Sequence, residues 1–145
     1  MKPSNHRMKR FLAGSSIIAL VLGFFIYVFF RTDTYISEIV LSIVKVDPNE
    51  VMLGISHFPK WIIAFLRNFS CDILWAYSLT VILSLVIGVD NHGLLKTFII
   101  CVLFESGIEY LQKINVISGT FDIADILFEV VVSVGTLLII KKKEG

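Results

Sequence analysis

ESGIEYLQKINVISGTFDIADILFE, residues 105–129, sets five carboxylates into a chain otherwise built of long apolar runs. A charge near the centre of a bilayer costs roughly 2.5–3.5 kcal/mol on insertion scales, so carboxylates placed there need a partner or a use. What they mean therefore depends on whether the flanking runs cross a membrane.

The 145 residues are 56% hydrophobic, with a mean hydropathy of +0.83. Soluble domains average about 45–50% apolar, so the composition is that of an integral membrane protein whose partner is the lipid bilayer. Thirteen Lys and Arg against twelve Asp and Glu leave a net charge of +1, with no basic excess to attract nucleic acid. Cys71 and Cys101 are too few and too far apart for a disulfide framework or a C-x-x-C site, and read as small apolar residues. His57 and His92 have no zinc-ligand spacing, and there is no phosphate-binding glycine loop or nucleophile elbow.

Four segments are long and apolar enough to span. FLAGSSIIALVLGFFIYVFF at 11–30 has twenty residues without a charge, enough for a hydrocarbon core of about 30 Å. It runs directly into Arg31 with no small-residue cleavage site, so it reads as a retained anchor. The second span is 73–89. The third, 94–112, is interrupted by Lys96, Glu105 and Glu109, and the fourth, 123–140, carries Asp125 and Glu129 before ending at Lys141-Lys142-Lys143. The expected fold is all-α: a single domain over 1–145 with four transmembrane helices.

Basic residues set the orientation. Lys2, Arg7, Lys9 and Arg10 precede the first span and three lysines follow the fourth, so both termini are expected on the cytoplasmic face of a multi-pass cell-membrane protein. Residues 31–72 then form an outer loop. Within it, YISEIVLSIVKV at 35–46, the turn Asp47-Pro48-Asn49 and HFPKWIIAFLRNF at 57–69 alternate apolar and polar residues in blocks, predicting short amphipathic helices lying on the membrane face. Gly14-Ser15-Ser16 and Gly23 leave room for a second helix to approach the first.

If spans three and four form a hairpin centred near Ile117, residues of equal depth have numbers adding to 234. Glu105 then matches Glu129, Glu109 matches Asp125 and Gln112 matches Asp122. Glu105, Glu109 and Gln112 share one helical face, and Asp122, Asp125 and Glu129 share another, so two polar stripes correspond rung for rung. The deepest rung lies about 10 Å inside the outer ends of the spans. Asp72 stands at the outer mouth of the second span with Arg67 shortly before it, and the inner halves of the spans read as almost wholly apolar.

Glu109-x-x-Gln112, a short loop, and Phe121-Asp122-Ile123-x-Asp125-Ile126-Leu127 followed by a small-residue tail resemble the signature of the VanZ-like membrane proteins. That signature reads approximately E-x-x-Q, then R-x-x-D-x-x-D, then Asn and Gly in the last helix, and the likeness covers about the last third of the chain. Two positions depart from it: the arginine is replaced near Gly119 or Thr120, and Glu129 stands where the asparagine is expected, while Gly135 corresponds to the glycine. The family takes its name from glycopeptide-antibiotic resistance, and its general biochemistry is unsettled. The resemblance implies a cell-envelope membrane protein more than a reaction.

Two function classes follow from the polar residues. In one, Asp72, Glu105, Glu109, Gln112, Asp122, Asp125 and Glu129, with Arg67, form an outward-opening pocket. Such a pocket suits a divalent cation on Glu109, Asp122 and Asp125, a proton shared between carboxyls, or a cationic or hydroxyl-rich head group of a lipid or cell-wall precursor. No catalytic nucleophile is evident. In the other class the chain is a structural or accessory subunit, Asp122, Asp125 and Asp72 are helix caps, and Arg67 is the partner of a carboxylate.

Overall fold

The twenty uncharged residues after Arg10 sit in a single helix, α1 (Ser4–Phe30). Leu12, Ser16, Ala19 and Gly23 fall on one face of it, a small-residue stripe along which another helix can pack closely. The hydroxyls on this face do not break the helix, because Ser15 and Ser16 donate to the carbonyls of Leu12 and Ala13. The computed structural model describes residues 4–31, 34–117 and 121–144. Its described residues are helical throughout, 86% helix with no strand.

Thr34 caps α2 (Tyr35–Val44), which ends where Lys45 turns left-handed at φ 57°. Asp47 caps α3 (Pro48–Ile55) by accepting from the Asn49 N–H, and Pro48 occupies the first helical position, where its missing N–H costs nothing. α4 (Lys60–Phe65) then runs through a π-helical turn at Leu66–Ser70 into α5 (Cys71–Ile87). Together these make one rod, Lys60–Ile87. The sequence starts the second span at residue 73; in the structure the helix that contains it begins at Lys60. Lys60, Arg67, Asn68 and Asp72 interrupt the hydropathy of the segment, yet its backbone continues through the π turn without a break.

Gly88 reverses the chain with φ 128°, a conformation that side chains disfavour. A Cβ on Gly93 would lie 2.4 Å from the Gly88 carbonyl oxygen, so both glycines are needed for this link. Asp90 caps α6 (Asn91–Lys113), and after the α6–α7 connection Asp122 accepts from the Ala124 N–H at the start of α7 (Ile123–Glu144). Ser118, Gly119 and Thr120, including the positions that replace the arginine of the VanZ-like signature, lie outside the described residues.

α5 is the axis of the bundle. It packs against α1, α6 and α7, and α6 and α7 pack on each other. Against α1, the Ser78 hydroxyl sits 3.0 Å from the Ser16 carbonyl, Ser15 and Tyr77 share a 2.7 Å hydrogen bond, and the Cys71 thiol points to the Gly23 carbonyl at 3.6 Å. Residues rising along α1 thus meet residues descending along α5, and the pair is antiparallel. At one end Leu12, Val81, Leu94, Leu137 and Ile140 form an apolar core, and the Lys143 ammonium lies 5.1 Å from the centre of the Phe11 ring. The start of α1 and the finish of α7 therefore share this terminal end.

Among the described residues three helices are long and apolar enough to cross a membrane: His6–Phe30, Lys60–Ile87 and Ile123–Lys143. α6 is equally long, at 23 residues, but its charges exclude it on composition. Its burial pattern is inverted relative to a water-soluble helix. Gly93, Thr97, Cys101, Glu105 and Glu109, spaced every four residues, are buried, whereas Leu95, Ile99, Ile100, Leu103 and Phe104 are exposed. The structure also corrects the reading of the inner halves as apolar. Thr80, Ser84, Thr97, Ser133 and Thr136 are buried on the way to the terminal end. Hydroxyls that bond to their own helix add little to a hydropathy average and are easily overlooked.

Candidate functional site

Opposite the terminal end, α1, α5, α6 and α7 surround a cavity of about 360 Å³, with Ile36 of α2 at its edge. α5 contributes Cys71, Asp72 and Trp75; α6 contributes Ile108, Glu109 and Gln112; α7 contributes Glu129; and α1 supplies Leu20, Gly23, Phe24 and Tyr27. The π turn ends immediately before Cys71 and Asp72. A π turn carries an extra residue per turn and so rotates the side chains that follow it, a device common next to functional sites.

Four of the eight residues singled out in the sequence, Asp72, Glu109, Gln112 and Glu129, line this cavity. Glu105 lies beneath it, 2% exposed, one turn of α6 further toward the terminal end. Glu109 and Glu129 are also buried, at 6% and 9% exposure. Asp125 is half-buried at the rim, where the charges of Asp72, Asp122, Glu109 and Arg31 act on it. Asp122 is exposed and shapes the backbone: it caps α7, while its own N–H donates to Glu109 Oε2 at 3.0 Å. Arg67 is exposed and does not line the cavity.

Asp72 is placed differently from a helix cap. The helix is already running from Lys60, so there is no terminus at residue 72 to cap, and the carboxylate faces the cavity. Its charged neighbours are Arg31 and Glu109. Arg31, which the sequence does not single out, acts on this carboxylate. Its Nε donates to the Arg67 carbonyl at 2.9 Å, its guanidinium lies 5.8 Å from the centre of the Tyr27 ring, and its charge acts on Asp72 and Asp125. Arg31 is the first charge after the α1 apolar run, and the antiparallel register that sets Gly23 beside Cys71 sets Arg31 beside Arg67, within electrostatic reach of Asp72.

Below the cavity the polar seam continues as a hydrogen-bonded chain. Ser133 donates to Glu105 Oε1 at 3.3 Å, Thr80 donates to Ser133 at 2.9 Å, and the Cys101 sulfur is 3.5 Å from the Thr80 hydroxyl. Ser133 and Thr80 were not among the sequence candidates. Ser133 lies four residues beyond Glu129 and eight beyond Asp125, so following the α7 stripe past its charges would have found it. The hydrogen bonds between α6 and α7 differ from the three expected pairings: Glu105 bonds to Ser133 and Glu109 to the Asp122 N–H, one on either side of the register that a hairpin centred at Ile117 sets.

Among the described residues no group of three or more His, Cys, Asp or Glu side chains is arranged to hold a metal ion. Of the three candidate ligands, Glu109 and Asp122 already accept backbone hydrogen bonds. The cavity instead combines carboxylates with ring faces from Phe24, Tyr27 and Trp75, a pairing that attracts organic ammonium groups through charge and through the ring quadrupole. No family model, no curated protein and no solved structure matches this chain.

Proposed function

We propose that the chain crosses the cell membrane four times with both termini cytoplasmic, and that its outward-opening cavity binds the cationic head group of an amphiphile. The burial of α6 supports the fourth crossing, because Thr97, Glu105 and Glu109 are buried in the bundle while Leu95, Ile99, Ile100, Leu103 and Phe104 face outward. The lysines after Ile140 and the basic residues before Phe11 support the orientation. On this topology α2 and α3 lie at the outer membrane surface as interfacial helices, with Tyr35, Ile36, Ile43 and Leu53 exposed toward lipid. We also carry forward the VanZ-like assignment, which rests on the Glu109-x-x-Gln112 and Phe121–Leu127 residues of the sequence.

One observation carries the binding reading: Asp72, Glu109 and Glu129, from three different helices, line one cavity whose remaining walls are aromatic and aliphatic. An ammonium group meets the carboxylates, while a hydrocarbon chain lies along Leu20, Phe24 and Ile36. Arg31 offsets Asp72 and Asp125 at the rim and leaves Glu109 and Glu129 to the ligand. The alternative is a structural or accessory subunit, and the Asp122 cap and its hydrogen bond to Glu109 favour it.

The two readings separate by fluorescence. In Trp61→Phe protein reconstituted in lipid nanodiscs, the remaining Trp75 should be quenched saturably by spin-labelled dodecylamine and only weakly by the corresponding alcohol. Glu129→Gln should abolish the saturable component while insertion and yield persist. Quenching that never saturates, or that is equal for amine and alcohol, contradicts head-group binding and supports the structural role.

A further inference from the structure

Beneath the cavity, two carboxyl oxygens are buried without a hydrogen-bond partner: Glu105 Oε2 and Glu129 Oε2. Their residues are 2% and 9% exposed, in the interface where α6 meets α7. Of the charged groups acting on Glu129, Glu105 acts most strongly, and the others are Asp72 on α5, Glu109 on α6 and Asp125 on its own helix, all carboxylates. Arg31 acts further out, on Asp72 and Asp125. Glu105 is surrounded by neutral donors: Ser133 holds its Oε1, Thr80 holds Ser133, and Cys101 completes the chain.

Two buried carboxylates on packed helices, each with an oxygen that no donor reaches, lose their hydration and repel each other when both are ionised, and the two effects together favour uptake of a proton or a cation. The partnerless oxygens mark where it sits. A metal ion would need several more oxygens, and no third acidic, histidine or cysteine side chain among the described residues joins the pair in a metal-binding group. A proton needs only the two that are present.

We propose that Glu105 and Glu129 share one exchangeable proton, taken up through the cavity that Glu129 lines. Only an O–H bond is made and broken: a proton from water in the cavity binds one carboxylate, and its release regenerates the ion. Ser133 and Thr80 position the Glu105 carboxyl by holding one oxygen, which leaves the other to face the proton. Toward the terminal end the groups beyond the pair are hydroxyls such as Ser84, Thr97 and Thr136 and the apolar cluster of Leu12, Val81, Leu94, Leu137 and Ile140, with no titratable side chain among them. Glu129 borders the cavity, which is therefore the side on which the proton enters and leaves. Glu129 is common to this proposal and to head-group binding, because it lines the cavity and forms half of the pair; the infrared test is read without any amphiphile, so a failure of head-group binding leaves this proposal standing.

Infrared spectroscopy of the protein in bilayers at pH 7 tests it. The wild type should show the carbonyl stretch of a neutral carboxylic acid, shifted in D2O and lost when the medium is made alkaline. Glu105→Gln and Glu129→Gln should each remove the band, Asp125→Asn should keep it, and Ser133→Ala should move its frequency without removing it. A wild type lacking the band overturns the proposal, as does a band that survives both glutamine substitutions or fails to respond to D2O and alkali. The wild-type spectra alone decide if either glutamine variant fails to insert.

Discussion

Replacing Ser133 with alanine removes a hydroxyl that links α7 to both α5 and α6. In the native chain it accepts from Thr80 of α5 and donates to Glu105 of α6, fully buried in both contacts. Interhelical hydrogen bonds in membrane proteins average about 0.6 kcal/mol in double-mutant cycles and reach about 1.7 kcal/mol. Loss of the Glu105 contact adds the cost of a second unpaired oxygen on a buried carboxyl, about 1–3 kcal/mol. We therefore expect Ser133→Ala to destabilise the protein by about 2 kcal/mol in equilibrium unfolding from mixed detergent micelles. Thr80→Val should cost less, because it breaks only the neutral bond. The cycle Thr80→Val, Ser133→Ala should be non-additive by about 0.6 kcal/mol or more, as the two hydroxyls act on one another. Ser42→Ala, an exposed control, should stay within about 0.5 kcal/mol of the wild type. Additivity within about 0.3 kcal/mol, or a Ser133→Ala variant as stable as the control, would refute the connected seam.

Gly93→Ala should abolish folded yield, because its Cβ would meet the Gly88 carbonyl at 2.4 Å, whereas Gly14→Ala, with nothing within 4 Å, should be silent; membrane-fraction yield and gel filtration compare them. A cysteine at Asn5 in a Cys71/Cys101-free background should resist impermeant thiol reagents in intact cells and react after permeabilisation, and ready labelling in intact cells would overturn the cytoplasmic N-terminus. A chelator should leave thermal stability in detergent unchanged, because no metal cluster exists among the described residues; a clear loss of stability would point to a bound cation. Arg31→Gln should weaken the protein more than the exposed control Ser42→Ala in the same assay, since Arg31 couples the end of α1 to the π turn and its charge acts on Asp72.

Much of this architecture was legible in the chain, for identifiable reasons. An uncharged run such as 11–30 has no stable home outside a bilayer, and the four-residue spacing of Glu105 and Glu109 can place both on one face only if the backbone is helical. The boundary at residues 60–72 was not legible, because a π turn preserves the backbone while its sequence, Leu66–Ser70, contains Arg67 and Asn68 and looks like a loop. Arg67 was favoured over Arg31 by proximity along the chain, but proximity in space follows the antiparallel contact of α1 with α5, which hydropathy does not encode. The same limit hid Ser133 and Thr80. Hydroxyls in an apolar run are compatible with lipid, protein or solvent, and only the packing of three helices shows which they face.

The most direct test uses Gln112, which lines the cavity without contributing a charge. In a background lacking Cys71 and Cys101, Gln112→Cys should react with an impermeant methanethiosulfonate added to the outside of intact cells, and dodecylamine should slow that reaction while dodecanol at equal concentration does not. Failure to label from outside, or equal protection by the amine and the alcohol, would contradict an outward-opening acidic cavity that binds a cationic head group.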